Sequence, residues 1–369
     1  MKLSAPRTLW SDSVDQLPDG GVWHSRDKLR ERIAVDVAII GAGFTGLWTA
    51  YYLKRLAPQL SVAILEANQV GFGASGRNGG WCSTLFPAST SKLTKNFGAT
   101  AAREMYDAMV ANLSQISRVC SEEGIECDWA QGGTLVAARN DMQLARAKAE
   151  LAEHRHHNLP ENHLTLLSAT EFSDRANISD VLGGTYTSNC AAINPLKLVM
   201  GLAKVVESLG VRIYEGTEVL DFLPHQIQTE TAKVSAKYIV RATEGYTSGL
   251  PSARRKVAPV YSLMLATEPL SDSMWQQIGL RQRETFSDFR NLVIYGQRTA
   301  DNRIAFGGRG APYHFGSSIK SEFDQNAQVH RLLKQTLVDL FPALPDVRIT
   351  HTWGGPLGVA RDWMASCGL

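Results

Sequence analysis

The chain has almost no excess of charge of either sign. Its 38 Lys and Arg residues nearly cancel its 36 Asp and Glu residues, leaving +2. No basic or acidic surplus therefore points to nucleic acid or an anionic membrane as a partner. Long apolar runs are missing too: nothing approaches the ~20 residues of a membrane span. The start, Met1-Lys2-Leu3-Ser4-Ala5-Pro6-Arg7, has no apolar core of signal-peptide length. Cysteine is sparse, with Cys82, Cys120, Cys127, Cys190 and Cys367 as the five present. An odd number without paired ligand spacing argues against a disulfide framework and a zinc site. It implies free thiols in a reducing compartment, hence a cytoplasmic protein. No Ser-His-Asp set and no paired carboxylates occur at a spacing that would carry nucleophilic or acid–base catalysis. His154, His156 and His157 cluster at the end of an expected charged helix over 141–156. They have no acidic or cysteine partner nearby in sequence. A cation-rich helix C-terminus accounts for them better than a metal site.

The 369 residues exceed what one compact core usually covers, so two domains are expected. Hydrophobic content of 44% and charged content of 20% are those of a globular protein. The most informative stretch is Val35-Asp36-Val37-Ala38-Ile39-Ile40 followed by Gly41-Ala42-Gly43-Phe44-Thr45-Gly46. The apolar run suits a strand buried on both faces. Gly41 permits the tight turn, Gly43 lets backbone approach a pyrophosphate, and Gly46 lets helix and strand pack closely. Leu47, Ala50, Leu53 and Leu56 then recur at helical spacing, and Pro58 stops the helix. A second strand, residues 61–65, ends on Glu66, 20 positions after Gly46. A carboxylate there accepts hydrogen bonds from ribose hydroxyls. Its charge would repel a 2′-phosphate, and no Arg sits beside it, which argues against NADP.

Elsewhere the pattern alternates helix and strand. Residues 1–32 read as a polar arm carrying Trp10, Trp23 and a turn at Pro18-Asp19-Gly20-Gly21. Met105, Met109, Leu113, Ile116 and Val119 form one stripe of a long helix over 100–124, the methionines as core fillers. Strands are expected over 129–138, 211–219, 259–267, 292–295 and 303–308. Asn194-Pro195 opens a helix that Gly210 ends. A last amphipathic helix over 322–340 carries Phe323, Val329, Leu332, Leu333, Leu337 and Leu340 as a core stripe.

Immediately after Glu66 comes the loop Gly71-Phe72-Gly73-Ala74-Ser75-Gly76-Arg77-Asn78-Gly79-Gly80-Trp81. Glycine at that density lets backbone lie flat against a ligand and offer its N–H groups. The pairing of this loop with the motif at 37–47 resembles the FAD-dependent amine and amino-acid oxidases of the D-amino-acid oxidase superfamily, including glycine and sarcosine oxidases. Its form is most similar to the γ-glutamylputrescine oxidase branch. The resemblance covers nearly the whole chain and is specific over 37–81.

That resemblance implies an α/β fold in which a Rossmann-like FAD-binding domain (1–86, 192–250 and 350–369) is interleaved with a mixed-sheet α+β substrate domain (87–191 and 251–349). It implies that residues 37–46, with Gly41, Gly43, Phe44, Thr45 and Gly46, hold the ADP half of FAD together with Glu66 and Ala67. Ala74, Ser75, Gly76, Arg77, Asn78 and Gly79 would line the flavin and pyrophosphate, and the Val219 backbone would meet the adenine. Residues 238–245 resemble the strand that ends in Ala-Thr-Gly against the cofactor, which implicates Thr243 and Gly245. Glu244 departs from the pattern, standing where the family usually has Gly, and would put an acid toward the phosphates. The implied reaction oxidises the C–N bond of a small amine or amino acid to an imine, with oxygen as acceptor. Arg309, in a glycine turn, is the candidate for a substrate carboxylate, and Tyr261 for a pocket wall. The alternatives for them are a surface salt bridge and a packed strand tyrosine. Arg77 either faces flavin or substrate or braces its loop. The chain stops at Leu369, before the strand, glycine loop and closing helix expected of the family. Three readings therefore stand: an oxidase, a dehydrogenase using a quinone or protein acceptor, and a truncated FAD-binding protein without catalysis.

Overall fold

The computed structural model describes residues 7–15, 26–310 and 313–368. Trp23 and the turn at 18–21 lie outside the described residues. The apolar run after Ile33 forms β1 (Ile33–Ile40). Both of its faces are covered. Ile39 packs into a cluster with Leu47, Ala50, Val199 and Leu202, and Ala38 and Ile40 face a second cluster with Leu65, Val234 and Leu250. That two-sided burial is why the strand is continuously apolar rather than alternating.

β1 lies in a six-stranded sheet. Helix α2 (Phe44–Leu56) crosses from β1 to the parallel β2 (Val62–Leu65). Helix α7 (Pro195–Ser208) leads into β8 (Arg212–Tyr214), which pairs parallel with β2. On the other side of β1 runs the parallel β11 (Lys233–Arg241), then the antiparallel β10 (Gln226–Thr229) and β9 (Val219–Leu223). The order is β8-β2-β1-β11-β10-β9. Asn194 caps α7 by accepting from the Leu196 and Lys197 N–H groups, with Pro195 at the first position as the sequence predicts. Helix α1 (Leu9–Asp15) brings Trp10 into the core edge-on to Trp353, ring centroids 6.1 Å apart. Leu56, counted in the α2 stripe, ends its helix 83% exposed.

The larger sheet has eight strands. These are β4 (Thr134–Ala138), β5 (Thr165–Ser168), β6 (Gly183–Thr187), β12 (Val257–Thr267), β13 (Thr285–Asp288), β14 (Ile294–Arg298), β15 (Ile304–Gly308) and β16 (Ile349–Ala360). Their order is β16-β12-β15-β14-β13-β4-β6-β5. All pairs are antiparallel except β13 with β4. One face packs on α9 (Ala327–Leu340) through Phe286, Phe306, Leu333 and Leu337. A short ribbon of β3 (Trp81–Ser83) and β7 (Cys190–Ala192) links the two halves. The remaining helices are α3 (Thr90–Phe97), α4 (Ala99–Glu122), α5 (Asp141–His156), α6 (Ala169–Ser173) and α8 (Asp272–Ile278).

Four expectations need correction. Residues 350–360, assigned to the nucleotide-binding half, belong to β16, which pairs with β12 from Ile349↔Thr267 to Val257↔Ala360. The backbone ladder places that segment, and local sequence carries no mark of it. The last helix begins at Ala327, where Asn326 accepts from the Gln328 and Val329 N–H groups; Phe323 lies in a preceding 3₁₀ turn and Leu332 is 54% exposed. Met105 is exposed on α4, whose buried positions are Ala102, Leu113, Val119 and Cys120. Leu292 and Val293 precede β14 and are exposed. Among the described residues, no helix is long and apolar enough to cross a membrane.

Candidate cofactor and active site

A cavity of about 250 Å³ opens where β1, β2 and β11 end. This is the carboxyl edge of the parallel strands, where open α/β sheets bind ligands. Gly41 turns the chain there at φ +106°, and a Cβ on it would stand 2.5 Å from the Ala242 carbonyl oxygen. A Cβ on Gly46 would stand 2.1 Å from the Gly41 carbonyl oxygen. The first glycine is therefore required by backbone conformation and the last by helix–strand contact. Gly43 caps α2 without a side chain. Ser75 Oγ takes the Phe44 N–H at 2.9 Å, and the rest of the first turn has no side-chain cap. An uncapped helix N-terminus at a cavity wall is a place for an anion.

Glu66 sits at the end of β2 on the same cavity. Its two oxygens accept from the Ala42 and Asn68 N–H groups, each at 2.9 Å. Burial raises its carboxyl above the usual range, and those N–H groups pull it only partly back. So fixed, its remaining lone pairs are acceptors aimed by backbone rather than by a mobile side chain. Glu244 also lines the cavity, at φ +44°. Its carboxylate accepts from Gly358 N–H at 2.8 Å and from Gly245 N–H. The departure from Gly thus has a structural use: the acid is turned onto backbone donors and ties the β11 end to β16.

The loop at 71–81 leaves this cavity and enters a second one, of about 520 Å³. Ala74 lines both. The floor of the second cavity is the face of the eight-stranded sheet opposite α9, with Ser262, Met264, Ser287, Tyr295, Thr134 and Thr185 pointing into it. Tyr295 is packed edge-on to Trp81, ring centroids 6.2 Å apart, and its OH meets Ser262 Oγ at 2.7 Å. Ser262 donates in turn to the Gly308 carbonyl at 3.3 Å. Tyr295 must then be the donor to Ser262, which leaves the phenol oxygen an acceptor on a cavity-lining residue.

The sequence-predicted residues separate into groups. Gly41, Gly43, Phe44, Thr45, Glu66, Ala67, Ala74, Ser75, Val219 and Thr243 line the first cavity. Arg77, Asn78, Gly79 and Arg309 line the second. Gly46, Gly76 and Gly245 serve packing: a Cβ on Gly76 would stand 2.3 Å from the Gly71 carbonyl oxygen, and one on Gly245 would meet β16 at 3.3–3.4 Å. Tyr261 is not a pocket wall. It is 1% exposed on the other face of β12, edge-on to His314 and Phe323, with its OH on the Lys320 backbone. Side chains alternate along a strand, so Ser262 and Met264 take the cavity face. Arg309 is solvent-exposed at the cavity mouth, its guanidinium 5.2 Å from the centre of the Trp363 ring.

Arg77 braces its loop. Its guanidinium donates to Asp324 at 2.8 Å, to the Gly354 carbonyl at 3.1 Å and to Tyr246 OH at 2.6 Å. It also lies 5.0 Å from the centre of the Phe72 ring. Its carbonyl accepts from Trp353 Nε1 at 2.8 Å. The loop is thereby fixed to β16 and to the turn before α9. Sequence reasoning missed Asp324, Tyr246, Tyr295 and Glu150, each remote in the chain from the glycine loop. The alternation of β12 and β14 was the one signal that bore on them.

The first cavity fits a dinucleotide: glycines that admit a close backbone, a helix N-terminus, a fixed carboxylate and a wall at Ala74 shared with the second cavity. Comparison with known proteins agrees. The Haemophilus influenzae oxidoreductase OrdL is 30% identical over 336 residues, 89% of this chain and 74% of that protein. The gamma-glutamylputrescine oxidoreductase of Escherichia coli is 30% identical over 334 residues, 89% and 75% of the two chains. The crystal structure of glycine oxidase from Geobacillus kaustophilus superposes with a TM-score of 0.75 at 20% identity, covering 90% of this chain and 84% of that one, a likeness of fold. The sequence profile of the FAD dependent oxidoreductases (DAO) matches residues 36–368, and the chain is a member of that family of FAD-dependent enzymes.

Proposed function

We propose that the chain oxidises the C–N bond of an amine or amino acid held in the second cavity, with oxygen as the electron acceptor. The observation that carries this reading is the junction at Ala74. Ala74 lines both a cavity with dinucleotide features and one walled by Tyr295, Trp81, Ser262 and Arg309, so the two adjoin there. FAD, when bound, accepts the two electrons that leave the substrate. Gly41, Gly43, the α2 N-terminus, Glu66 and Val219 would hold its nucleotide half, and Ala74, Ser75, Asn78 and Gly79 would lead it into the second cavity.

The chain's own groups then bind and orient. The Tyr295 oxygen accepts an N–H of the substrate nitrogen. Arg309 offers a two-pronged donor to a carboxylate, as an amino-acid substrate would need. Met264 and Trp81 keep water from the walls. Cytoplasmic residence is part of the proposal, supported by five free thiols.

Anaerobic addition of amines and amino acids to the flavin-loaded protein tests the reading. Bleaching of the visible flavin band by a member of the panel is expected. An unchanged spectrum across primary, secondary and α-carboxylated amines would overturn it. Peroxide formed with oxygen as sole acceptor separates an oxidase from a dehydrogenase. Replacing Arg309 by leucine is expected to raise KM for α-carboxylated substrates roughly tenfold or more, with KM for simple amines unchanged. Equal changes for both classes would remove Arg309 from carboxylate binding.

A further inference from the structure

The second cavity spans several strands of the large sheet, and a half-buried carboxylate lines its far wall. One line of side chains crosses its floor from Tyr295 on β14 through Ser287 on β13 and Val136 on β4 to Thr185 on β6. The strand register pairs Ser287 with Val136 and Val136 with Thr185. Three strand spacings of ~4.8 Å make that line about 14 Å long. Gly79 is packed against Tyr295, a Cβ on it reaching within 2.7 Å of the ring. The glycine-loop end of the cavity is therefore the Tyr295 end. At the opposite end Glu150, on α5, lines the wall, and its Oε2 accepts from Thr185 Oγ1 at 3.1 Å.

Glu150 is the one acid among the described residues that line this cavity, and among them no Lys, Arg or His forms an ion pair with it. Burial pushes its carboxyl above the usual range, and the Thr185 hydroxyl offsets this only in part. A protein interior rarely keeps a carboxylate without a cation, because desolvation is uncompensated. A carboxylate serving structure alone would be expected to have a cation on α5 or β6, where Glu150 has only the Thr185 hydroxyl. This one lines open cavity space, where a cationic ligand can supply that partner.

We infer that Glu150 binds a distal ammonium group of the substrate, so that the substrate is a linear amine with a second cationic nitrogen at its far end. A fully extended chain advances ~1.2 Å per bond, so the line from Tyr295 to Thr185 accommodates on the order of eight to twelve bonds between the two nitrogens. The distal ammonium belongs either to a polyamine or to the amino-acid end of a capped diamine. Both present the same group to Glu150. This inference rests on the amine-oxidising reading above and adds the length and charge of the substrate tail.

The test uses the flavin-loaded enzyme and its Glu150→Gln variant, which preserves shape and the acceptor for Thr185. Three probes of similar length are compared: octylamine, octane-α,ω-diamine and γ-glutamylputrescine. In the wild type the two probes with a charged tail are expected to show KM values roughly tenfold or more below that of octylamine. Glu150→Gln should abolish that advantage, the loss appearing as a rise in KM for the two probes with a charged tail. Glu150→Asp should restore part of it. Preference for the diamine over γ-glutamylputrescine assigns the tail to a polyamine, and the reverse to an amino-acid end. Equal shifts for charged and neutral tails, or none, would overturn the role of Glu150 while leaving amine oxidation standing. If no probe reduces the flavin, the functional reading is what fails. Calorimetric titration of the diamine then decides Glu150 separately: heat of binding in the wild type and its loss in Glu150→Gln support the ammonium site, and identical titrations overturn it. Equal flavin content in both proteins shows that the variant is folded.

Discussion

Replacing Gly41 by valine is expected to yield a protein that purifies without flavin and binds added FAD at least ~100-fold more weakly, a loss of about 2.7 kcal/mol or more. Two independent effects combine. The backbone at φ +106° lies where side chains with a Cβ are rarely found, at a cost of order 1–3 kcal/mol. The new Cβ would also stand 2.5 Å from the Ala242 carbonyl oxygen, and that atom is main chain at the end of β11, held by its ladder to β1. It cannot swing away as a side-chain tip would. The turn must open, and with it the wall of the first cavity. The alanine variant should show the same loss, since both effects arise at Cβ, whereas bulk beyond Cβ adds little. Fluorescence titration with FAD measures the affinity, and circular dichroism reports whether the sheet survives. A Gly41→Val protein that retains stoichiometric flavin would show that this glycine does not shape the cofactor site.

Arg77→Met is expected to cost about 3–5 kcal/mol of stability, the typical penalty for removing one partner of a buried ion pair. The two side chains are only 5% and 7% exposed, so water cannot replace the lost guanidinium beside Asp324. Tyr246 OH and the Gly354 carbonyl lose their donor in the same step. The deficit should depend on pH. Burial raises the Asp324 carboxyl from 3.8 to about 6 even with Arg77 attracting it. Its folded pKa is thus above its unfolded one. The native state takes up a proton between those values, and the contribution of this group to stability fades as pH rises through about 6. Without Arg77 the carboxyl is driven higher still, and the variant can neutralise it by binding a proton near pH 7 and below. The gap between wild type and Arg77→Met should therefore be smaller at about pH 5 than at about pH 8. Denaturant midpoints at both pH values measure this. Asp324→Asn in the Arg77→Met background should recover part of the loss, because no charge is then left stranded. A deficit independent of pH would mean that the hydrogen bonds to Tyr246 and Gly354, and not the charge pair, carry the effect.

The parts of the molecule legible in the sequence share one property: the residues that specify them are close in the chain. Residues 35–66 announce β1, α2 and β2 because each glycine answers to a steric demand set by neighbours within about thirty positions. Gly41 meets Ala242 only because β11 pairs with β1, yet its turn was already required by the strand–helix junction. Asn194 and Pro195 mark the start of α7 for the same local reason. Glycine density in the loop at 71–81, together with its place just after Glu66, raised the expectation that this loop meets a ligand.

What the sequence did not disclose depends on groups brought together from far apart. Arg77 meets Asp324 across 247 positions, and nothing around either residue names the other. Alternation along β12 established that Tyr261 and Ser262 face opposite ways, but not which way the cavity lies, and so Tyr261 was placed on the wrong side. The same holds for β16, whose partner β12 lies roughly ninety residues earlier. Glu150 is one of several charges on a charged helix until β6 places Thr185 beside it and the sheet floor extends away from it. The sequence by itself determined the nucleotide-binding unit, its glycines and the family, because steric demands on turns and helix ends are local. Only the tertiary structure decided which face of the large sheet is the cavity and which acid is left there without a cation, because burial and pairing are properties of the packed chain.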